Sequence, residues 1–354
     1  MLLSKEAFIA RLAVQKASYL TRSITEQILA NKSSNTITKE DNSPVTIGDF
    51  SAQAVIINAI KANFPNDEVI GEEDSHDLKE NLNLAQTILK ELNKNEESYQ
   101  AEFPNVSSVA NLGPSFTSVE QVSSVIDQGN SLGGNKGRYW ALDPIDGTKG
   151  FLRGDQYAVC LALIIDGEVE LGVIGCPNLP DNLEDPQYKG GLFVAIKGQG
   201  SFYSPLYGTE ITHDNLGERI HMKNGLSSSS QLRVVEGVEK GHSSHSDQSQ
   251  IKQRLQIPEG QTLNLDSQVK YCALAKGLAD LYLRLPINLK YREKVWDHAA
   301  GNVLIKESGG VVSDMQGNQL DFGKGRYLDS LGVIASNKNF HDDVIGAVKQ
   351  VVKL

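Results

Sequence analysis

Five places along the 354-residue chain set carboxylates beside turn-forming residues: Asp49, Glu72-Glu73, Asp143, Asp146 and Asp297. Two of them share one short stretch, Asp143-Pro144-Ile145-Asp146-Gly147-Thr148. Pro144 fixes its own φ and offers no backbone donor. Asp143 and Asp146 can therefore both turn toward one cation, with the Ile145 carbonyl facing it as well. Gly147 lets the backbone come close to an anion such as phosphate. Thr148, if it opens a helix, adds a hydroxyl and unpaired N–H groups where an anion binds well. An all-oxygen donor set suits Mg²⁺, Mn²⁺ or Ca²⁺ rather than zinc or copper. The sequence has no EF-hand spacing of acids, no HExxH, no GxxxxGK[ST] and no GxSxG.

Each piece taken singly has a plainer reading. Asp146-Gly147-Thr148 is ordinary turn and cap chemistry. Glu72-Glu73 alone reads as a solvated pair, and Asp297 as the N-cap of the segment that follows it. Asp49 reads equally as a first-turn acid held by a helix dipole.

The elements that must position these residues follow from periodicity. Residues 1–31 and 49–63 carry apolar side chains at helical spacing, and residues 38–49 between them read as a turn-rich loop with Pro44 forcing Ser43 extended. Residues 66–74 read as a short strand running into acids, 75–103 as a polar helical stretch on the surface, and 104–137 as loop plus one helix. Strand-like 137–144 follows. Residues 156–177 read as two buried strands joined at Asp166-Gly167, a hairpin signal. Past residue 218 strands and helices alternate: a strand at 233–237, a helix at 247–255, helix then strand over 264–286, and a helix from Trp296. That alternation predicts an α/β layer.

Composition bounds the rest. At 40% hydrophobic and 22% charged, the chain is ordinary for a globular protein. Its longest apolar run, residues 158–165, is too short to span a membrane. Net charge is −10 without a basic run, which argues against a nucleic-acid polymer as partner. Three scattered cysteines without a CxxC pair read as reduced thiols, and the cytoplasm is the expected compartment, with the nucleus left open.

The ordered set of acids resembles the lithium-sensitive, magnesium-dependent phosphomonoesterase superfamily. That group carries an Asp, then Glu-Glu, then Asp-Pro-(Ile/Leu)-Asp-(Gly/Ser)-(Thr/Ser), then Trp-Asp followed after eleven residues by Gly-Gly. Here the matching residues are Asp49, Glu72-Glu73, 143–148, Trp296-Asp297 and Gly309-Gly310, spanning nearly the whole chain. The resemblance implies an α/β fold, a layered αβαβα sandwich of the inositol monophosphatase and fructose-1,6-bisphosphatase type. It implies an N-terminal α+β subdomain, 1–218, with most metal ligands, and a C-terminal α/β subdomain, 219–354, with the nucleotide contacts and Asp297. It further implies two or three Mg²⁺ per site on Glu72, Asp143, the Ile145 carbonyl, Asp146 and Asp297, with Glu73 behind them. Asp49 and Thr148 would act as the base dyad, and Li⁺ would inhibit, with Na⁺ and Ca²⁺ open as further inhibitors.

Residues 43–49, 238–245, 265–272 and 279–286 are similar to the fungal 3′(2′),5′-bisphosphate nucleotidase group. By that resemblance the substrate is a small nucleotide, 3′-phosphoadenosine 5′-phosphate, cleaved to AMP and phosphate, with 3′-phosphoadenylyl sulfate as a second substrate, in sulfate assimilation and salt tolerance. Gly147, Thr148, His242, Ser267, Lys270, Arg284 and Asp297 would hold it, in a monomer. From the residues alone, Lys270 and Arg284 read equally as surface charges, His242 as an idle loop side chain with His245 its rival, and Tyr271 and Tyr282 as core. An inositol phosphatase and a catalytically silent nucleotide- or metal-binding protein are the alternatives. Retention of Asp49, Thr148 and every acid argues against the silent one.

Overall fold

The structure, a computed structural model, describes residues 3–33, 44–182, 185–238, 244–288 and 290–352. The apolar runs pair into a seven-stranded sheet in chain order: β1 (Glu68–Gly71), β2 (Arg138–Asp146), β3 (Ala158–Ile165), β4 (Glu168–Asn182), β5 (Asp185–Ile196), β6 (Gly200–Pro205) and β7 (Glu218–Ile220). Only β1 and β2 run parallel; the others are antiparallel neighbours. The β3–β4 hairpin turns on Asp166-Gly167, both with positive φ (50° and 81°), as a two-residue turn matched to strand twist requires. The expected subdomain boundary at 218 falls inside β7.

A five-stranded sheet is built from β8 (Val234–Glu236), β9 (Thr262–Asn264), β10 (Leu281–Arg284), β11 (Gly310–Ser313) and β12 (Val333–Asn337), in spatial order β11-β12-β10-β8-β9.

The helices are α1 (Ser4–Ser33), α2 (Pro44–Asn63), α3 (His76–Glu80), α4 (Leu82–Glu102), α5 (Val106–Val109), α6 (Val119–Ile126), α7 (Thr148–Arg153), α8 (His245–Arg254), α9 (Val269–Ala275), α10 (Ala299–Glu307) and α11 (His341–Val352).

Alternation along the strands sorts these elements into five layers. On β2, Trp140 and Leu142 face a core shared with α1, α2 and α4, whereas Tyr139 and Ala141 face the opposite core, shared with α9 and α10. That second core also receives Val235 of β8, Tyr282 of β10 and Ala335 of β12. The far face of the second sheet, through Val234, Leu281, Leu283 and Ile334, packs on α8 and α11. The order is therefore helices, sheet, helices, sheet, helices, the αβαβα sandwich expected.

Three local readings change. Helix α2 starts at Pro44 rather than 49, because proline suits a first helical turn, where no intrahelical N–H partner is needed. Residues 104–137 hold two helices, α5 and α6, instead of one. The polar stretch 75–103 is helical, as expected, but is more than a surface element: Leu84, Ile88, Leu92 and Tyr99 of α4 are buried in the first core. No helix among the described residues is long and apolar enough to cross a membrane.

Candidate active site

Strict alternation would send residues three apart to opposite faces of a strand. Asp143 and Asp146 escape this through a β-bulge. Asp143 pairs with Cys160 and Asp146 with Ala158, so three steps on β2 answer two on β3. Pro144, which has no N–H to lose, sits inside the bulge. Gly147 follows at φ +94°, caps α7, and lies so close to Ser267 that a β-carbon there would be 2.9 Å from the serine's own. Thr148 opens α7, as expected, and is exposed.

Helix α2 reaches this turn because of Gly48. A β-carbon at that position would meet Ile145 Cδ1 at 2.7 Å and the Phe151 ring at 3.2 Å. The next residue, Asp49, is buried (6% exposed) and lies well past the first turn of α2, so dipole stabilisation does not account for it. One helical turn on, the buried Gln53 donates Nε2 to the Glu73 carbonyl (2.7 Å) and accepts the Glu73 N–H (3.0 Å). This amide clamp fixes the Glu72-Glu73 segment against the helix that carries Asp49.

The acids lie near one another, and Asp146 and Asp297 line a cleft. Asp143 is 2% exposed, Asp146 and Asp297 are half-buried, and Glu72 is open to solvent. Glu72 and Asp143 are nevertheless within hydrogen-bonding distance of each other. Burial pushes the Asp143 carboxyl well above its ordinary value, and Glu72, Asp146 and Asp297 push it further. Asp49 rises through burial and then through Glu73 and Glu72; Asp297 rises through burial and Asp146. Burial and Glu72 bring Glu73 up to about 7. Two carboxyl groups in mutual contact require a shared proton or a cation between them. Asp143 Oδ1, buried, has no hydrogen-bond partner among the described residues. The oxygen donors of Glu72, Asp143, Asp146 and Asp297 thus fit a hard divalent cation.

Asp297 is not the N-cap that its sequence position allows. His298 occupies that position on α10, leaving Asp297 directed into the cleft. Gln268, which sequence reasoning missed, locks this corner. Its backbone N–H donates to Asp146 Oδ2 (2.5 Å), its side-chain Nε2 to the Trp296 carbonyl (2.7 Å), and its Oε1 accepts from Gly301 N (3.0 Å). Ser267 before it is held at φ +62°, a conformation rare without glycine, and this turns the Gln268 amide toward Asp146.

The lining of the cleft includes Asp146, Gly147, Ser267, Lys270, Arg284 and Asp297. Lys270 is not a surface charge. It is 7% exposed, its ammonium lies 5.3 Å from the Tyr282 ring centroid, and burial brings it down to about 8 despite Asp146. Tyr271 and Tyr282 are buried, as expected, though both also touch the cleft. Arg284 Nε donates to Glu293 Oε1 (2.7 Å), and the other Glu293 oxygen lies 3.2 Å from His298 Nε2. A carboxylate only accepts, so Nε2 donates and leaves Nδ1 for the Tyr271 hydroxyl at 2.7 Å. Against the cost of burial, His298 and Arg284 hold Glu293 down to about 2. Glu293, Asp297 and His298 are close enough to share a metal, but the Glu293 oxygens and both imidazole nitrogens already have these partners.

Among the predicted residues the structure gathers Asp49, Glu72, Glu73, Asp143 and Asp146 with Asp297, and Ser267, Lys270 and Arg284 along one cleft. It does not join Asp49 to Thr148: no hydrogen bond connects them among the described residues. His242 lies outside the described residues. His245 opens α8, with Nδ1 3.9 Å from Glu236 Oε2, and is not among the described residues that line the cleft.

Residues 4–353 match the model of the inositol monophosphatase family. The chain belongs to this family. It is 56% identical to the 3′(2′),5′-bisphosphate nucleotidase 2 of Candida albicans, over 99% of this chain and 98% of that protein. It is 44% identical to the 3′(2′),5′-bisphosphate nucleotidase of Schizosaccharomyces pombe, over 98% of this chain and 95% of that one. An inositol monophosphatase from Zymomonas mobilis shares the fold (TM-score 0.59, 17% identity, 99% of each chain).

Proposed function

We infer that this chain is a 3′(2′),5′-bisphosphate nucleotidase, a phosphomonoesterase that removes the 3′-phosphate of 3′-phosphoadenosine 5′-phosphate and, as a second substrate, of 3′-phosphoadenylyl sulfate. One observation carries the choice of substrate. The cleft places two cations, Lys270 and Arg284, in the same lining as the acids Asp146 and Asp297. A molecule with two separated anions can offer one phosphate to the acid end and the other to Lys270 and Arg284. An inositol monophosphate has no second anion to offer Lys270 and Arg284. Full-length relatives of the same name support this reading.

Glu72, Asp143, the Ile145 carbonyl, Asp146 and Asp297 would hold Mg²⁺, in two or three positions, with Glu73 behind them. Bound there, the metal would supply Lewis acidity toward the phosphate and neutralise its charge. Li⁺, near Mg²⁺ in size but with half the charge, would compete for a position without supplying that acidity. The chain's own residues do the rest. Asp49 takes the proton of the attacking water, with Thr148 as its partner once the phosphate is seated. Gly147 and Thr148 present backbone N–H groups to that phosphate. Lys270 and Arg284 hold the 5′-phosphate by charge-assisted bonds, Ser267 adds its hydroxyl, and His242 is assigned to the sugar or phosphate. A cytoplasmic monomer, with its three free, buried cysteines reduced, completes the reading.

The test is phosphate release from 3′-phosphoadenosine 5′-phosphate and from inositol 1-phosphate, with and without Mg²⁺ and then with LiCl. Fast, Mg²⁺-dependent, lithium-inhibited release from the nucleotide is expected. Preferential release from inositol 1-phosphate would overturn the substrate assignment, and no release from either would overturn the enzymatic one.

A further inference from the structure

The acids of the site come from segments with no covalent reason to stay in register. Glu72 follows β1 of the first sheet, and Asp297 precedes α10 between the sheets. One side chain touches the backbone beside the first and the ring beside the second. Arg326 Nη2 donates to the Gly71 carbonyl at 2.6 Å. Its Nη1 donates to the Ser131 carbonyl at 3.1 Å and the Gly129 carbonyl at 3.4 Å. The same guanidinium stacks on Trp296, 4.8 Å from the ring centroid. Gly71 directly precedes Glu72, and Trp296 directly precedes Asp297.

The backbone of Arg326 is anchored to the same corner. Val295 N donates to the Arg326 carbonyl (3.1 Å), Leu328 N to the Glu293 carbonyl (2.8 Å), and Lys294 bridges Tyr327. The segment carrying Arg326 is thus strapped to the segment leading into Asp297, while its planar fork reaches across to the segment leading into Glu72. On the far side of Glu72, Gln53 holds Glu73 by both backbone groups. Glu72 is therefore gripped from α2 on one side and from the Asp297 corner on the other. Arg326 donates to carbonyls and has no carboxylate partner within ion-pair distance among the described residues; its charge also acts on Glu72 from further away, but three convergent carbonyls call for a guanidinium rather than an ammonium, and the lysine variant, which keeps the charge, separates the two.

We propose that Arg326 is a positioning residue that sets the separation of Glu72 from Asp297, and with it the affinity of the site for a divalent cation. The proposal rests on the metal reading given above. Its test uses the full chain without substrate, with Mn²⁺ as probe and free Mn²⁺ read by electron paramagnetic resonance. R326M removes charge and fork; R326K keeps the charge and loses the fork. Mn²⁺ binding is expected to weaken about tenfold or more in R326M and several-fold in R326K, with the melting temperature in chelator close to that of the unmodified protein. The Mg²⁺ concentration for half-maximal turnover should rise in parallel, and high Mg²⁺ should restore turnover. If R326M does not fold, R326K carries the test. Unchanged Mn²⁺ affinity in R326K would overturn the proposal, as would a raised KM for the nucleotide at unchanged metal affinity. Failure of the unmodified protein to bind Mn²⁺ would instead overturn the metal reading, and this inference with it.

Discussion

Glu293→Gln tests whether the buried Arg284–Glu293–His298–Tyr271 chain is worth what its geometry implies. Glu293 is 2% exposed and accepts from Arg284 at 2.7 Å and His298 at 3.2 Å. Its carboxyl is brought from 4.5 to about 2. At 1.36 kcal/mol per pH unit, that difference corresponds to about 3 kcal/mol of stability at neutral pH. Removing one partner of a buried pair costs about 3–5 kcal/mol, so two independent routes agree. For a chain of 354 residues, about 2.1 cal/mol/K per residue turns 3 kcal/mol into a melting-temperature drop of about 4 °C. The pH dependence is specific. A carboxyl with a depressed folded value stabilises fully above its unfolded value and loses that contribution as pH falls toward the folded one. The deficit of the variant should therefore be constant from pH 8 to about 5.5 and shrink below about 4.5. Urea unfolding in chelator at several pH values reads this. A variant as stable as the parent at pH 7, or a deficit that grows on acidification, would refute the reasoning.

Asp49→Asn should lower turnover by about 10²–10⁴-fold, the usual contribution of a positioned base, while Mn²⁺ binding stays within a few-fold; unchanged turnover would remove Asp49 from that role. Arg284→Ala should raise KM for the nucleotide bisphosphate by roughly 10- to 100-fold, as for a lost charged hydrogen bond, and raise KM for an inositol phosphate far less; equal effects would argue against a second anion subsite. Gly147→Ala meets both a φ of +94° and the β-carbon of Ser267 at 2.9 Å. It should cost about 1–3 kcal/mol and most of the activity, which thermal melts and phosphate release together would show.

What the sequence made legible was local. The carboxylates at 143 and 146, their proline and their glycine lie within six residues, so their chemistry could be weighed from spacing. The five layers could be anticipated from the alternation of strand and helix patterns together with the family resemblance. The boundary of α2 was misplaced because a proline reads as a breaker until it is known to occupy the first turn. Gln268, Glu293 and Arg326 were invisible for another reason. Their partners are chosen by the folded topology: Gln268 meets Asp146 across 122 residues, and Arg326 meets Gly71 across 255. A glutamine or arginine in isolation looks like surface. The burial of Lys270 was likewise undecidable, since its neighbours in space belong to other segments. The bulge between Asp143 and Asp146 lies between these cases. Proline hinted at it, but only the register against Cys160 and Ala158 explains why two acids three apart share a face.

The placement of α10 between the two sheets has a consequence for how the protein comes into being. A ribosome delivers Asp49, Glu72, Asp143 and Asp146 early, whereas Arg284 and Asp297 emerge only in the last quarter of the chain. Helix α10, with Asp297 just before it, must then slot into a core whose first-sheet wall was synthesised long before. A nascent chain therefore presents a half-built ring of like charges with nothing to close it. On the roles proposed for Arg284 and Asp297, such an intermediate would lack the groups that complete the site, and activity would arrive in a single late event rather than by degrees as the polypeptide grows.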